Sequence, residues 1–355
     1  MIINQIVAGS GGGAQDGILY TTTGGVLTPQ GLSRTDFSDI TEVSTYCFYQ
    51  LGSFLRLSAP VSGVLDFRNT TTIGDYAFSY SFNQTNITYI DFRSVETINA
   101  NYGFERAFDG AKLTGFDFSN LKTIGTGNDV FKDTFKDNTT LVGAFSFPKL
   151  ENIKGFGTAF QGDTGITFFG FPKVKVIGIV SGSYQAGSVF LNCSGLTGTN
   201  LNALETIYGT NTMDAMYKNT GLLKVAFPML TTVPNDPFSV NCFETTTLTE
   251  IHFRKDMQAT IEAVMGYSTQ WGASNATVYF DLVGTLTGAD GNTYTRDEYN
   301  SVYSDQHGQF QTAVAWKYND TTYYTPFSAN EPAVSDTIYS DAACTVAVTT
   351  ISAIA

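Results

Sequence analysis

The side chains that most often catalyse reactions or bind metals are scarce and widely separated in this sequence. The two histidines are His252 and His307, and no metal-ligand spacing links them. The four cysteines, at positions 47, 193, 242 and 344, form no CxxC pair, so we expect buried free thiols. No GxSxG or P-loop motif occurs. The sequence therefore predicts a protein that is not an enzyme and holds no metal or cofactor.

The composition is acidic and poor in charge. Charged residues make up 14% of the 355 residues, and the formal net charge is -13. Nucleic acids and anionic membranes are bound by basic surfaces, so neither is expected as a partner. No run approaches the ~20 apolar residues that a membrane span needs. The first residues, MIINQIVAGSGGGAQDG, lack the basic region and the long apolar run of a signal peptide, so we expect a soluble chain without a recognisable secretion signal.

One pattern of apolar residues recurs along most of the chain. The segment LTGFDFSNLKTI, which begins at Leu113, has apolar residues at positions 113, 116, 118, 121 and 124. Similar segments place the second apolar strand residue at Phe37, Phe67, Phe92, Phe118, Phe147, Phe171, Leu201, Phe227 and Phe253. These nine positions span 216 residues in eight intervals, a mean period of 27 residues. A sustained period of this size indicates a repeat architecture.

A second motif, a small residue followed by a large apolar one, lies between the strands. It occurs at positions 47–48, 77–78, 107–108, 134–135, 159–160, 189–190, 215–216 and 242–243. In L-x-x-F-x-F the last two apolar residues alternate, so both point to one face of a short strand. One unit cannot bury its apolar side alone. Stacked units would form a continuous parallel sheet with an aromatic spine inside.

The combined cadence, I-x-x-I-x-x-x-A-F-x-x-x-x-x-L-x-x-I-x-F, resembles the BspA-like leucine-rich repeats of surface proteins from bacteria and some parasites. The segment VFLNCSGLTGTNL is particularly similar, with Cys193 where that family often places a buried cysteine. The resemblance covers roughly residues 31–281, although the repeat lengths are irregular. It implies a β-rich leucine-rich repeat solenoid with a curved parallel sheet and few or no regular helices.

The resemblance also implies a binding surface, because the solvent side of the strand row is the concave face on which leucine-rich repeat proteins usually bind. The candidate contact residues on this face are Asp66, Arg68, Tyr89, Asp91, Arg93, Asp117, Phe168 and His252. An aspartate row beside two arginines suits a carbohydrate or peptide ligand. It also suits a ladder of solvated ion pairs, which are common on protein surfaces and contribute little. Phe168 is either an exposed anchor or a residue covered by a neighbouring loop.

The two ends of the chain fall outside the repeat. Residues 1–30 combine glycine-rich and threonine-rich turns with short apolar runs, and we interpret them as an arm or a cap. Residues 282–355 alternate like antiparallel strands, with a tight hairpin at Asp290-Gly291 and room for one short helix after Asn292. The predicted domains are therefore 1–30, 31–281 and 282–355. The last would be a small β-rich module that either caps the solenoid or serves assembly.

These features predict a non-enzymatic, extracellular protein that binds a protein or glycan on a cell surface. The first hypothesis is a receptor-binding component of a virion, such as a tail fibre of a phage of gut-type bacteria. Such a component could assemble as a homotrimer through its terminal regions. The second hypothesis is a bacterial cell-surface adhesin, which would need a signal peptide. The third is an architectural spacer whose concave face binds nothing.

Overall fold

The computed structural model describes residues 7–8, 18–23, 26–32, 35–50, 62–179, 186–239, 241–244, 247–265, 270–303, 311–327 and 331–355. They form a β-solenoid of about eight turns, followed by a C-terminal antiparallel β-barrel module, with very little helix. The predicted fold class is confirmed. We call each turn of the solenoid a coil, and the strands are numbered along the chain.

Each coil contributes one long strand to one side of the solenoid. The long strands are β5 (Ser62–Asp66), β7 (Asn86–Asp91), β9 (Gly115–Asp117), β11 (Gly143–Ser146), β13 (Ile166–Gly170), β15 (Gly198–Asn200), β17 (Lys224–Phe227), β18 (Glu250–Arg254) and β19 (Thr277–Leu282). They pair in parallel within the groups β5-β7-β9, β11-β13-β15 and β17-β18-β19. All nine predicted second strand residues are at most 3% exposed, which confirms the period read from the sequence.

A second side carries strands of only two residues each, apart from β4, which has four. They are β4 (Ile40–Val43), β6 (Thr72–Ile73), β8 (Thr97–Ile98), β10 (Thr123–Ile124), β12 (Asn152–Ile153), β14 (Val176–Ile177) and β16 (Thr206–Ile207). At the N-terminal end, β1 (Val7–Ala8) pairs antiparallel with β4. The strands β2 (Ile18–Thr23) and β3 (Val26–Leu32) form an antiparallel hairpin.

The third side is built from β-turns that bond both locally and to the next coil. The N–H of Phe104 donates to Val130 O in the next coil, while the N–H of Glu105 donates to Tyr102 O within its own turn. Positive φ angles recur every four residues, at 53° for Tyr102 and 51° for Arg106. Because the turns repeat every four residues, two residues of each coil point into the core on this side instead of one.

The core therefore holds two aromatic columns on the turn side. The prediction of a single aromatic spine is wrong, because it aligned residues of both columns at one position of the repeat. One column contains Phe48, Phe78, Phe104, Phe131 and Phe156, and the other contains Phe82, Phe108, Phe135, Phe160, Phe190, Tyr217 and Phe243. The small-plus-aromatic steps at 47–48 and 77–78 belong to the first column, whereas the step at 107–108 belongs to the second. Tyr217, not Met216, continues the second column.

A helix closes the core after β18. The 3-10 helix Lys255–Met257 leads into α1 (Gln258–Met265), whose buried Ile261 and Val264 join the solenoid core. Trp271, in a second 3-10 helix at Gln270–Gly272, is fully buried in the same core. This end of the solenoid therefore covers its aromatic columns with its own residues, as a repeat protein requires.

The C-terminal module has its own sheet and its own core. Its strands are β20 (Thr285–Gly288), β21 (Thr293–Arg296), β22 (Val302–Tyr303), β23 (Gln311–Tyr318), β24 (Thr321–Pro326), β25 (Thr337–Tyr339) and β26 (Ala347–Ile354), with a 3-10 helix at Glu298–Asn300. The order β21-β20-β26-β25-β24-β23 closes on itself because β21 also pairs with β23. A small core around Trp316 and Leu286 fills this barrel. The hairpin predicted at Asp290-Gly291 joins β20 to β21, with a φ of 79° at Gly291.

Candidate binding surface

The predicted aspartate row exists as a straight column on the solvent side of the long strands. Asp66, Asp91 and Asp117 are paired in register across β5, β7 and β9. A bridge between Asp36 and Asp66 extends the column by one coil towards the N-terminus. Asp66 and Asp91 are nevertheless buried, at 8% and 3% exposure. Their carboxylates are therefore covered by neighbouring protein groups and largely withdrawn from solvent.

The first role of this column is to end the strands. In each case the side-chain Oδ1 accepts a hydrogen bond from the backbone N–H two residues later, which is an Asx turn. The pairs are Asp36 with Ser38, Asp66 with Arg68, Asp91 with Arg93, Asp117 with Ser119 and Asn200 with Asn202, at 2.8–3.2 Å. The column thus satisfies a strand-end N–H in five coils, a structural role that the sequence analysis did not consider.

Three coils solve the same problem with proline. Their column residues are Ser146, Gly170 and Ala226, and the residues two positions later are Pro148, Pro172 and Pro228. Proline has no N–H, so these coils need no side-chain acceptor. The alternation of D-F-x with S-F-P, G-F-P and A-F-P was readable in the sequence. In the coil of His252 neither solution applies, and a 3-10 helix starts directly after Arg254.

The two arginines fold back onto the same carboxylates. Arg68 Nε lies 2.8 Å from Asp66 Oδ2, and Arg93 Nε lies 2.9 Å from Asp91 Oδ1 and 3.6 Å from Asp117 Oδ2. The hydrogen bond from the Arg68 side chain holds the pKa of Asp66 below its ordinary value. Both arginine side chains stay half exposed, at 52% and 50%. They form an ion-pair ladder whose outer edges remain accessible.

Two aromatic candidates lie over glycines of the next strand. Tyr89 is in register with Gly115, and Phe168 is in register with Gly198. A Cβ atom on either glycine would come within 3.0 Å and 2.9 Å of the respective ring. Burial raises the pKa of Tyr89. Phe168 is only 9% exposed. It is therefore a covered residue and not an exposed anchor.

His252 sits at the downstream end of the column, between two carboxylates. Its Nδ1 lies 2.8 Å from Asp281 Oδ1 and its Nε2 lies 3.0 Å from Glu250 Oε2. The ring stacks on Tyr279 with a centroid distance of 4.7 Å. The hydrogen bond with His252 lowers the pKa of Glu250. With 6% exposure, His252 organises this edge of the sheet and offers little surface to a ligand.

The C-terminal module packs along the side of the solenoid, at the corner after the long strands. Tyr299 lies under two ammonium groups, with Lys173 Nζ 4.7 Å and Lys175 Nζ 4.5 Å from its ring centroid. Its hydroxyl donates a 2.7 Å hydrogen bond to Glu151, and burial together with this bond raises the pKa of Tyr299 to about 12. The Oη atom of Tyr303 is buried beside Asn200 and Asn202.

The candidate residues therefore separate into two regions. Upstream, the face around β5, β7 and β9 is open, and Val64, Arg68 and Arg93 are about half exposed. Downstream, Gly170, Pro172, Asn200 and Pro228 are buried, and module residues reach this region. We call the exposed region, made of Val64, Arg68, Tyr89, Arg93 and Asp117, the upstream face. The contact between Lys173 and Tyr299 was not predictable from local sequence patterns, because these residues are 126 positions apart.

A buried charge cluster fixes the junction between solenoid and module. Arg296 donates to Val283 O at 3.1 Å, and Glu331 accepts the N–H of Val283 at 3.1 Å. Arg296 also bonds Glu331 and, at 2.8 Å, Glu298, which is fully buried. Since Val283 directly follows β19, both of its backbone groups are held where the chain leaves the solenoid.

Two other kinds of site are absent from the part of the chain that the structure describes. There, no three His, Cys, Asp or Glu side chains are grouped so that they could hold a metal ion. No helix in the described ranges has the length and apolar character needed to cross a membrane. No protein-family model matches the sequence, and no curated protein matches it significantly. The resemblance to BspA-like repeats thus stays a prediction that rests on its motifs.

Proposed function

We propose that this protein is a non-enzymatic adhesion or receptor-binding protein, displayed on the outside of a virion as a tail-fibre or similar component. The observation that carries the proposal is the upstream face. Parallel strand pairing fixes the spacing of Tyr89, Asp66 and Asp91. Arg68 and Arg93 are ion-paired to these aspartates, and Val64 is 48% exposed. Tyrosine and arginine, with tryptophan, are the residue types enriched among the energetic hot spots of protein interfaces.

Two features support a location on an outer surface: the low content of charged residues and the resemblance to the repeats of surface proteins. A solenoid presents an extended surface because each coil contacts only its neighbours. The partner would be a protein or glycan of a cell surface.

A binding assay on cells tests the proposal. The labelled full chain is added to a panel of gut-type bacteria, beside the double variant Arg68→Ser/Arg93→Ser. We expect the variant to bind at least tenfold more weakly. The matched control is Lys122→Ser/Lys218→Ser, which removes two ion-paired cations elsewhere on the solenoid, one exposed and one partly exposed. Equal losses in both variants, or no loss in either, would contradict a site on the upstream face.

The alternative is a bacterial cell-surface adhesin, and the packing of Tyr299 against Lys173 and Lys175 favours it. A module engaged with its own solenoid does not stand free as an assembly stalk. Light scattering on the full chain separates the two, because fibre components are usually trimers and adhesin ectodomains usually monomers. If the chain binds no cell in the panel, the remaining hypothesis is that the protein is an architectural spacer.

A further inference from the structure

A cleft of about 660 Å³ opens where the C-terminal module meets the solenoid. The solenoid contributes Lys175, Glu205 and Met229, and the module contributes residues of the 295–300 segment and of the hairpin between β23 and β24. Its volume lies within the roughly 300–1,000 Å³ of small-molecule sites, which often form at domain interfaces. None of the candidate residues from the sequence analysis lines it.

The charges that line the cleft are balanced, with three cations (Lys175, Arg296 and Lys317) and three anions (Glu205, Asp297 and Asp320). Lys175 lies 3.3 Å from Glu205, and Lys317 lies 3.2 Å from Asp320. Arg296 is bound to Glu298, and Asp297 accepts the side-chain amide of Asn300 at 2.7 Å. Because these charges cancel, the cleft offers a charged ligand no net electrostatic attraction. The cleft is therefore suited to a neutral ligand.

The other lining groups are polar but uncharged, or apolar. Thr295 and Asn319 are exposed and bring a hydroxyl and a carboxamide, both of which donate and accept hydrogen bonds. Met229 brings apolar surface, and Tyr299 lines the cleft with a half-buried ring that also contacts Lys173 and Lys175. Donor-acceptor groups beside an aromatic ring match a sugar, which alternates hydroxyl groups with apolar C–H faces.

Both walls of the cleft are fixed before a ligand arrives. The Arg296 cluster holds the junction at Val283, and Tyr299 holds the module against Lys173 and Lys175. A preorganised site loses little free energy to ordering on binding. We propose that this cleft binds a neutral oligosaccharide. This inference rests on the proposed function and names the ligand class for a second surface, distinct from the upstream face.

The test fills the cleft with a large side chain. Thr295→Trp places an indole in the cleft, and strands accept tryptophan well. Thr293→Trp is the matched control, because Thr293 is exposed on the same strand but does not line the cleft. The probes are an array of neutral hexose and N-acetylhexosamine oligosaccharides and their sialylated counterparts, followed by calorimetry on any binder. We expect a neutral oligosaccharide to bind, Thr295→Trp to weaken it at least tenfold, and Thr293→Trp to leave it unchanged.

Three results would overturn the cleft proposal: no neutral oligosaccharide binds, only sialylated ones bind, or both tryptophan variants bind alike. The same variants in the cell assay keep the two proposals apart. Wild-type binding to cells that Thr295→Trp fully retains would leave the proposed function standing and reject the cleft as its glycan site. Specific oligosaccharide binding in the cleft without any cell binding would support the cleft and reject the adhesion function.

Discussion

The Oδ1 atom of Asp117 accepts a 2.8 Å hydrogen bond from the backbone N–H of Ser119. One coil later the same two positions hold Ser146 and Pro148, and the proline has no N–H that needs an acceptor. The two positions therefore vary together along the solenoid. A residue that looks like a ligand contact in one coil is, in the first instance, the acceptor that ends a strand.

The Asx turn predicts unequal effects of two alanine substitutions. Asp117→Ala leaves the Ser119 N–H without its partner, so we expect a loss of about 1 kcal/mol in the free energy of unfolding. Ser119→Ala should cost less than about 0.5 kcal/mol, because it keeps both the backbone N–H and its acceptor on Asp117. Urea denaturation measures both, with the fluorescence of Trp271 as the reporter of the solenoid in a Trp316→Phe background.

A double substitution provides the control for the interpretation that Asp117 serves as the acceptor for the Ser119 N–H. Asp117→Ser/Ser119→Pro converts the coil to the Ser-Phe-Pro form found at positions 146–148. It should be more stable than Asp117→Ser alone, because the second change removes the unsatisfied donor. If adding the proline destabilises Asp117→Ser further, the covariation of the two positions has another cause.

The repeat was predictable because the solenoid core depends on local pattern. Every coil must bury the apolar residue that directly follows its long strand. Residues such as Phe67 and Phe92 therefore recur at a spacing that is visible in the sequence. The alignment of the aromatic steps was not predictable in the same way. Phe78 and Phe82 are four residues apart, and both point into the core, each in a different column. A sequence motif with one aromatic residue per coil cannot distinguish the two columns.

The candidate surface was predicted less well than the fold. The column of Asp66, Asp91 and Asp117 was found from spacing alone, because strand periodicity fixes which residues share a face. Which part of that face is accessible depends on the C-terminal module. Its contacts, such as Tyr299 with Glu151, join distant segments and follow no period in the sequence.

A buried carboxyl group predicts that stability falls as pH rises. Asp163 is fully buried, and burial raises its pKa well above the ordinary value. Its Oδ1 accepts the Asn138 N–H at 2.7 Å, while Oδ2 has no hydrogen-bond partner among the described residues. The folded chain therefore holds this proton more tightly than the unfolded chain, whose aspartates titrate near pH 4. Above about pH 4 the unfolded state is increasingly favoured, until the folded-state pKa is passed.

Asp163→Asn removes this titration and keeps an acceptor for Asn138. We expect the variant to match the wild type near pH 4 and to gain stability over it progressively as the pH rises towards 8. Thermal melts across this range measure the difference. Asp320→Asn serves as the control, because the Asp320 side chain is 96% exposed and its replacement should leave the pH slope unchanged. A constant difference between Asp163→Asn and the wild type at all pH values would contradict a protonated Asp163.

The junction cluster predicts a large effect confined to the module. Arg296→Met would leave Glu298 buried without its positive partner, and removing one member of a buried pair typically costs about 3–5 kcal/mol. A Trp271→Phe background retains Trp316 alone, and this residue reports on the module core because its ring lies near Arg296. Lys317→Met, which removes an exposed cation from the same module, should cost less than about 1 kcal/mol. Similar losses for both variants would show that the cluster does not stabilise the module.

The Tyr299 contact predicts that solenoid and module lose their coupling when the ring is removed. Their cores are separate, with Trp271 in one and Trp316 in the other, so two single-tryptophan variants follow each unit on its own. Tyr299→Ala removes the hydrogen bond to Glu151 and the surface under Lys173 and Lys175. We expect the Trp316 transition to move to lower urea concentration while the Trp271 transition stays in place. Polar interfaces between domains usually permit such independence.

Tyr299→Phe separates the ring from the hydroxyl. It keeps the aromatic surface under the two lysines and loses only the bond to Glu151, so its effect should be about 1 kcal/mol and smaller than that of Tyr299→Ala. Burial lowers the pKa of Lys173, which indicates that this ammonium is partly withdrawn from water against the module. Removing the ring should return it to solvent and raise its pKa, a change that NMR titration of the lysine side chains can follow. If both tryptophan transitions stay superimposed in Tyr299→Ala, the coupling runs through the Val283 junction and not through this contact.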